Sequence, residues 1–446
     1  MNKFLHGSAL LALLAGLAGC DVTVSSSHGW SYVVTEMNGN RVVAYNSTGG
    51  SSWFDSNLKG SAKLTQGGAV PADLTDLEVD NKFGSVKVTG VTDGPMEWSW
   101  QATVRAPTDE LAQAAARDVR CTAVIDHGRL RLTVAFPVAK GQTGFASDLA
   151  IRVPARVRVQ TTNQFGDTEI ADVSGGVEAG GQSGAITVRQ VGGAVHAETT
   201  FGAISVAGAG ETRVKSQNGA ISVQHITGSI QAETAFGAMD VAETGPAWLK
   251  NQNGRINAGD IHGRLEAETS FGSLTARRVD GAVWLRDRNG PIEVVRAQSA
   301  DLKTSFGAIS ATDIGGDVDL VTQNGAVSAR GVAGSVRAEN SFGAMDISSG
   351  GPIIVCHSQN GALLVRATSP TLSRIEARTS FGAIDLTLPS SAVPAIEART
   401  TFGHIESDFP VLMKPRGQDP FAGLPEGTAR IQLESENGGI HITRAD

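Results

Sequence analysis

Carboxylates, histidines and tryptophans are the residues from which an active site could be built, and their spacing here is poor for it. Asp313, Asp317 and Asp319 form the densest acidic group. Paired carboxylates at a defined separation would serve glycoside cleavage, and acidic ligands could hold calcium. These three lie near a turn on one strand, where a solvated face is expected instead. Trp248 and Trp284 could make a sugar-stacking platform, but they read as two coils apart at different offsets, so packing against the edge of the fold is expected. None of the nine histidines stands in H-x-x-x-H spacing and no C-x-x-C occurs, so no metal site is expected. A G-x-x-x-x-G-K-[ST] phosphate loop, a G-x-S-x-G nucleophile elbow and a G-G-x-G-x-D calcium repeat are absent. No catalytic residue and no cofactor is expected.

One residue does carry a chemistry. Lys3 opens a short positive segment, and Leu5 to Ala18 is apolar apart from His6, Gly7 and Ser8, ending in Leu17-Ala18-Gly19-Cys20. This looks like a bacterial lipobox, whose cysteine is diacylated and becomes the new N-terminus. The stretch is too short to span a bilayer, whereas a multi-chain lipid holds stably at roughly 0.8 kcal/mol per buried CH₂. Residues 1–19 are therefore expected to be a lipoprotein signal peptide and Cys20 the lipidation site. Asp21 implies retention on the periplasmic face of the inner membrane where the enterobacterial sorting rule holds; otherwise the outer membrane or cell surface is expected. Cys121 and Cys356 make no disulfide framework. Cys356 fills a repeat position otherwise taken by Val or Leu, which points to a small buried hydrophobe.

The elements that would position any site come from a repeat. Glycine makes up 54 of 446 residues, about 12%, against a usual ~7%. It recurs at 166 and 184, then at Gly202, Gly219, Gly237, Gly254, Gly272, Gly290, Gly307, Gly325, Gly343 and Gly361, and again at 382, 403 and 438. The residue before it alternates, Phe in one copy and Asn in the next. Apolar residues alternate with polar ones on both sides, as Leu265 and Ala267 do before Gly272 and Leu274 and Ala276 after it. That is the period-2 pattern of strands with one buried face. The glycine marks a bend where a positive φ is expected. Two short strands in 17–18 residues cannot bury a core alone, but stacked coils can. The expected fold is an all-β, single-stranded β-solenoid of about 15 coils.

Two outward patterns accompany the repeat. Glu198, Lys215, Glu233, Lys250, Glu268 and Arg286 alternate in sign from coil to coil. They read as a ladder that sets the register, with a charged binding stripe as the alternative. The alternating Phe residues are expected to point inward and fill corners, with the Asn residues between them hydrogen-bonding as a ladder; an outward apolar stripe serving as an interaction surface is the alternative.

The flanks differ in composition. Residues 20–76 read as a tether, from Ser25 to Ser27, and a small module with a hairpin about Asn38-Gly39. Residues 77–158 read as a first coil followed by a capping excursion, with strands over 96–104 and 129–136. A helix over 108–121 is N-capped by Thr108 and has Leu111, Ala115 and Val119 on one face. Residues 159–446 carry the coils, with a cap loop over 408–428. A net charge of −8 leaves no basic stripe for nucleic acid.

The whole of residues 77–443 resembles the bacterial putative-adhesin β-solenoid proteins, domain of unknown function 4097. The likeness rests on the opening F-G-S-V-K-V, the strand ending at Pro154, the T-S-F-G-A-I and Q-N-G-A-I units and the terminal E-N-G-G-I-H-I. It implies an envelope location and an adhesive or scaffolding role, and it carries no catalytic residues. The partners to expect are the membrane, through the lipid, and an envelope protein or surface polymer. An envelope-stress sensor or regulatory scaffold is the alternative, and a polysaccharide-active β-helix enzyme the second.

Overall fold

The computed structural model describes residues 21–27, 30–37, 40–45, 58–137, 143–369, 371–412, 421, 424–425 and 427–445. The signal peptide, Cys20, the Asn38-Gly39 turn and most of the expected cap loop fall outside them. The chain forms two compact units, residues 1–228 and 229–446. Both are built of stacked parallel strands, and the β-solenoid has about 13 turns. That is fewer than the 15 coils counted from the glycines, whose regular 17–18-residue spacing ends at Gly361.

In the first unit, Asp21–Ser27, Trp30–Met37 and Asn40–Tyr45 form a separate antiparallel sheet. Ser25 to Ser27 therefore lie in a strand, where a tether was expected. The first coil is Asp76–Phe83 with Val86–Val91, and it pairs in parallel with Arg158–Phe165 and Thr168–Val173. On its other side lie Arg129–Ala135 and Gly144–Pro154, also parallel. The excursion then turns antiparallel: Glu97–Ala106 pairs with both Gly144–Pro154 and Gly60–Ala69. This covers an end that would otherwise present unpaired N–H and C=O groups.

The helix is Asp109–Ala116, shorter than expected, with Thr108 Oγ1 accepting from the Leu111 N–H at 3.4 Å. It buries Ala112 and Ala116, while Leu111 is exposed. The expected Leu111–Ala115–Val119 face is thus wrong. Cys121 belongs instead to the strand Arg120–Asp126, because the chain turns out of the helix after Ala116 to pair with Arg129–Ala135.

The second unit stacks from Ile230–Phe236 with Met239–Thr244 up to Arg374–Phe381 with Ile384–Leu388. Alternation buries Ile256 and Ala258, and the left-handed Asp260 shifts the phase so that Ile261 also points inward; all three are at most 5% exposed. Each such Ile or Leu contributes about 1.5–3 kcal/mol by leaving water. The end is laid down out of order. Arg430–Asn437 and Ile440–Arg444 insert between Arg374–Phe381/Ile384–Leu388 and Ala395–Thr400/Ile405–Ser407. The chain overshoots by one rung and returns to fill the gap.

A second, left-handed corner recurs near the end of the second strand in successive coils from Thr168–Val173 to Val327–Val332, mostly at non-glycine residues. Asp172 (φ 61°), Gln190 (51°) and His225 (56°) occupy it in the first unit, with Gly208 between them (71°). Glu243, Asp260, Arg278, Arg296 and Asp313 do so in the second, at φ 53° to 63°. A left-handed residue costs roughly 1–2 kcal/mol, and the flanking parallel pairs hold it there. Arg278 on Asp260 adds a two-pronged ion pair, Nε–Oδ1 2.5 Å and Nη2–Oδ2 2.6 Å.

Candidate functional site

The glycine corner is where the repeat meets solvent. A Cβ on Gly254 would lie 2.1 Å from the Gly237 carbonyl oxygen, and one on Gly290 1.5 Å from that of Gly272. Gly237, Gly254 and Gly343 have the expected positive φ, 153°, 151° and 126°. Gly202, Gly219, Gly272, Gly290, Gly307, Gly325 and Gly361 do not, so a left-handed bend is not the common requirement. Close approach is: one coil's carbonyl occupies the space a side chain would need on the next.

Three residues before the corner glycines, Gly184 excepted, stands a polar side chain, buried at most of these positions. Ser216 Oγ donates to the Gly202 carbonyl at 3.1 Å, Asn251 Nδ2 to Gly237 at 2.8 Å and Thr322 Oγ1 to Gly307 at 3.1 Å. Thr379 and Ser435 do the same to Gly361 and Gly382. These bonds satisfy carbonyls that the tight corner buries. Asp287 occupies the same position with only 7% exposure and, once ionised, has no proton to donate. Its Oδ1 accepts from the Arg288 and Asn289 N–H groups, while Oδ2 has no partner among the described residues. Burial pushes its carboxyl pKa up, and those two backbone hydrogen bonds pull the other way without cancelling the rise. The sequence reading missed this inward column because its members are chemically mixed.

Immediately beside it, the phenylalanines face outward, contrary to expectation. Phe236, Phe271, Phe306, Phe342 and Phe381 are 44–56% exposed and Phe402 75%. Strand parity alone would place each phenylalanine on the same inward face as the polar residue two positions earlier; the corner breaks the alternation after that residue and turns the ring outward. Phe236 stands opposite Asn253, and the Phe/Asn register then runs through Phe271, Asn289, Phe306, Asn324, Phe342, Asn360 and Phe381 to Asn437. The Phe402 N–H donates to the Glu436 carbonyl, so the interleaved last rung keeps the alternation. In the first unit the position is held by Phe83, Phe165, Ser183, Phe201 and Asn218; Phe83 is buried and stacks 5.6 Å from Phe165 in a cluster that includes Phe136 and Phe145.

The sign-alternating residues stand on neighbouring coils in register. Glu198 pairs with Lys215 at 3.9 Å. Glu233, Lys250, Glu268 and Arg286 follow one another in the second unit. Arg286 bonds Asp301 at 2.6 Å and lies 4.0 Å over the Trp284 ring. Trp248 and Trp284 share one column, each six residues before its corner glycine, with Glu266 between them. The different offsets read from the sequence are therefore wrong, and Trp248 projects into solvent at 42% exposure.

Asp317 accepts from the Ser335 N–H, Asp319 faces Lys303 at 3.8 Å and Asp313 sits at a left-handed corner. Among the described residues no group of His, Cys, Asp and Glu could hold a metal. Glu376 is buried. That burial raises its carboxyl, but hydrogen bonds from Arg374 and His357 and the charge of Arg378 outweigh it and hold the pKa below the ordinary value.

No protein-family profile matches the chain, and no curated protein does. Solved structures that it is similar to include a putative adhesin from Bacteroides fragilis (TM-score 0.30, 15% identity, 52% of this chain and 97% of that one). A putative adhesin from Parabacteroides distasonis gives 0.20 at 14% identity, covering 69% and 98%. A putative cell adhesion protein from Clostridium sporogenes gives 0.14 at 8%, covering 86% and 100%.

Proposed function

We propose that this chain is a non-enzymatic, adhesin-like β-solenoid of the bacterial cell envelope, anchored by a lipid on Cys20, that presents a repetitive surface to a partner. The observation that carries the reading is the column of solvent-facing phenylalanines in the second unit. Large apolar side chains held outside the core add little to folding and mark a binding surface. Repetition suits such a surface, because many weak identical contacts gain through effective concentration. Asp21 directs the anchored protein to the periplasmic face of the inner membrane where that sorting rule operates. The partner is an envelope protein or a surface polymer.

Binding of the purified mature chain to envelope extracts and to glycan arrays is the test. Failure on both removes the adhesive role. Cys20→Ala is expected to leave the chain unprocessed or soluble, and unchanged partitioning into detergent would remove the anchor.

A further inference from the structure

Between Phe306 and Phe381 the exposed edge carries no charge across five coils. Phe306, Asn324, Phe342, Asn360 and Phe381 run along its crest. Beside them Ser305, Ser341 and Ser380 flank the phenylalanines, and Gln323 and Gln359 flank the asparagines; only alanines lie beyond the corner glycines. The columns farther out carry charges at intervals, Lys303, Glu339 and Arg378 on one side, with Val321 and His357 between them, and Asp346 and Asp385 on the other, with Ser310, Ser328 and Leu364. A neutral strip between charged borders selects a neutral partner, because a charged one would lose hydration along the strip without gaining a counter-charge.

The rhythm narrows the chemistry further. Neighbouring parallel strands are about 4.8 Å apart, so aromatic faces recur every ~10 Å with amides halfway between. An aromatic face covers the C–H face of a sugar ring, and a primary amide both donates to and accepts from hydroxyls. Two coils span about the length of two pyranose rings in an extended chain. A second copy of the protein fits less well. Phenylalanine has roughly 150–250 Å² to bury, so the three half-exposed rings of this strip offer about 300 Å², well short of the ~800 Å² per partner of a stable protein interface. A ridge one side chain wide suits a thin linear polymer.

We infer that this edge binds an extended, neutral, linear polysaccharide, one disaccharide per pair of coils. The inference rests on the binding role proposed above and assigns its ligand class. The test is affinity electrophoresis of the mature chain in gels containing hydroxyethyl cellulose, mannan or polygalacturonate, with light scattering in parallel. Retardation by at least one neutral polymer is expected, with binding to its oligosaccharides tightening at least about tenfold once they span several coils. The Phe306→Ser/Phe342→Ser double variant should weaken binding at least about tenfold, while Phe342→Trp retains it. Both sites are at the surface, and an unchanged circular dichroism spectrum confirms folding of the variants. No retardation by either neutral polymer, retardation by polygalacturonate alone, or undiminished binding by the double variant overturns the inference. So does self-association that the double variant abolishes. If envelope extracts still bind the double variant fully, this ligand assignment falls while the adhesive role stands.

Discussion

Asp287→Asn is expected to stabilise the protein. Asn251, in the same inward column, shows what an amide does there: its Oδ1 accepts from the Asn253 N–H at 3.2 Å, and its Nδ2 donates to the Gly237 carbonyl at 2.8 Å. Asp287 makes the first kind of bond, to Arg288 and Asn289, and leaves Oδ2 unpartnered among the described residues. The substitution is isosteric, removes a buried charge and supplies a donor toward Gly272. One added hydrogen bond contributes about 0.5–1.5 kcal/mol, and relief of desolvation adds to it, so a gain of about 1–2 kcal/mol is expected at neutral pH. The folded-state pKa of Asp287 is raised. A group raised in this way favours the folded state fully below its unfolded value, ~3.9, and loses that contribution as pH rises through the folded value. The advantage of Asn should therefore be complete at pH 7 and shrink on acidification, as protonated Asp287 itself becomes a donor. Because coils interact mainly with their neighbours, amide hydrogen exchange over residues 270–307 is the appropriate assay, at neutral pH and near pH 3. Equal or faster exchange in the variant at neutral pH would refute the reasoning, as would a gain that persists unchanged in acid.

Gly254→Ala should cost about 1–3 kcal/mol and raise exchange mainly in the adjacent coils, since its Cβ would meet the Gly237 carbonyl at 2.1 Å. Gly259→Ala, a few residues on and with nothing within 4 Å of the added carbon, should fall within about 0.5 kcal/mol of wild type; equal costs at the two sites would remove the close-approach argument. Cys121 and Cys356 are free and buried, with burial pushing their thiols up to about 11 and about 12. Both should resist alkylation at pH 8 in the native protein and react in denaturant, and prompt native labelling of Cys356 would place it outside the core.

Much of the fold was legible because its determinants are local. The period-2 alternation, the 17–18-residue interval and the near absence of helix signals lead to stacked parallel strands whatever their exact neighbours. The Phe/Asn alternation was equally plain, and following it through the C-terminal end would have given the interleaved order, since Asn437 belongs between Phe381 and Phe402. Which way the phenylalanines point was not legible. A corner resets strand parity, and only the path of the chain around it shows that the residue two positions earlier takes the inward slot.

The left-handed column escaped for a related reason. Asp, Gln, His, Glu and Arg at those positions carry no common signal, and the conformation is imposed by pairing on both sides. Sequence by itself determined the repeat and the buried alternation, because both depend on residues close in the chain; the reason for glycine at the corner, the carbonyl of the neighbouring coil, came only from the stacking. The tertiary structure alone decided which side chains reach solvent together, because that depends on how coils dozens of residues apart are held in register by parallel pairing.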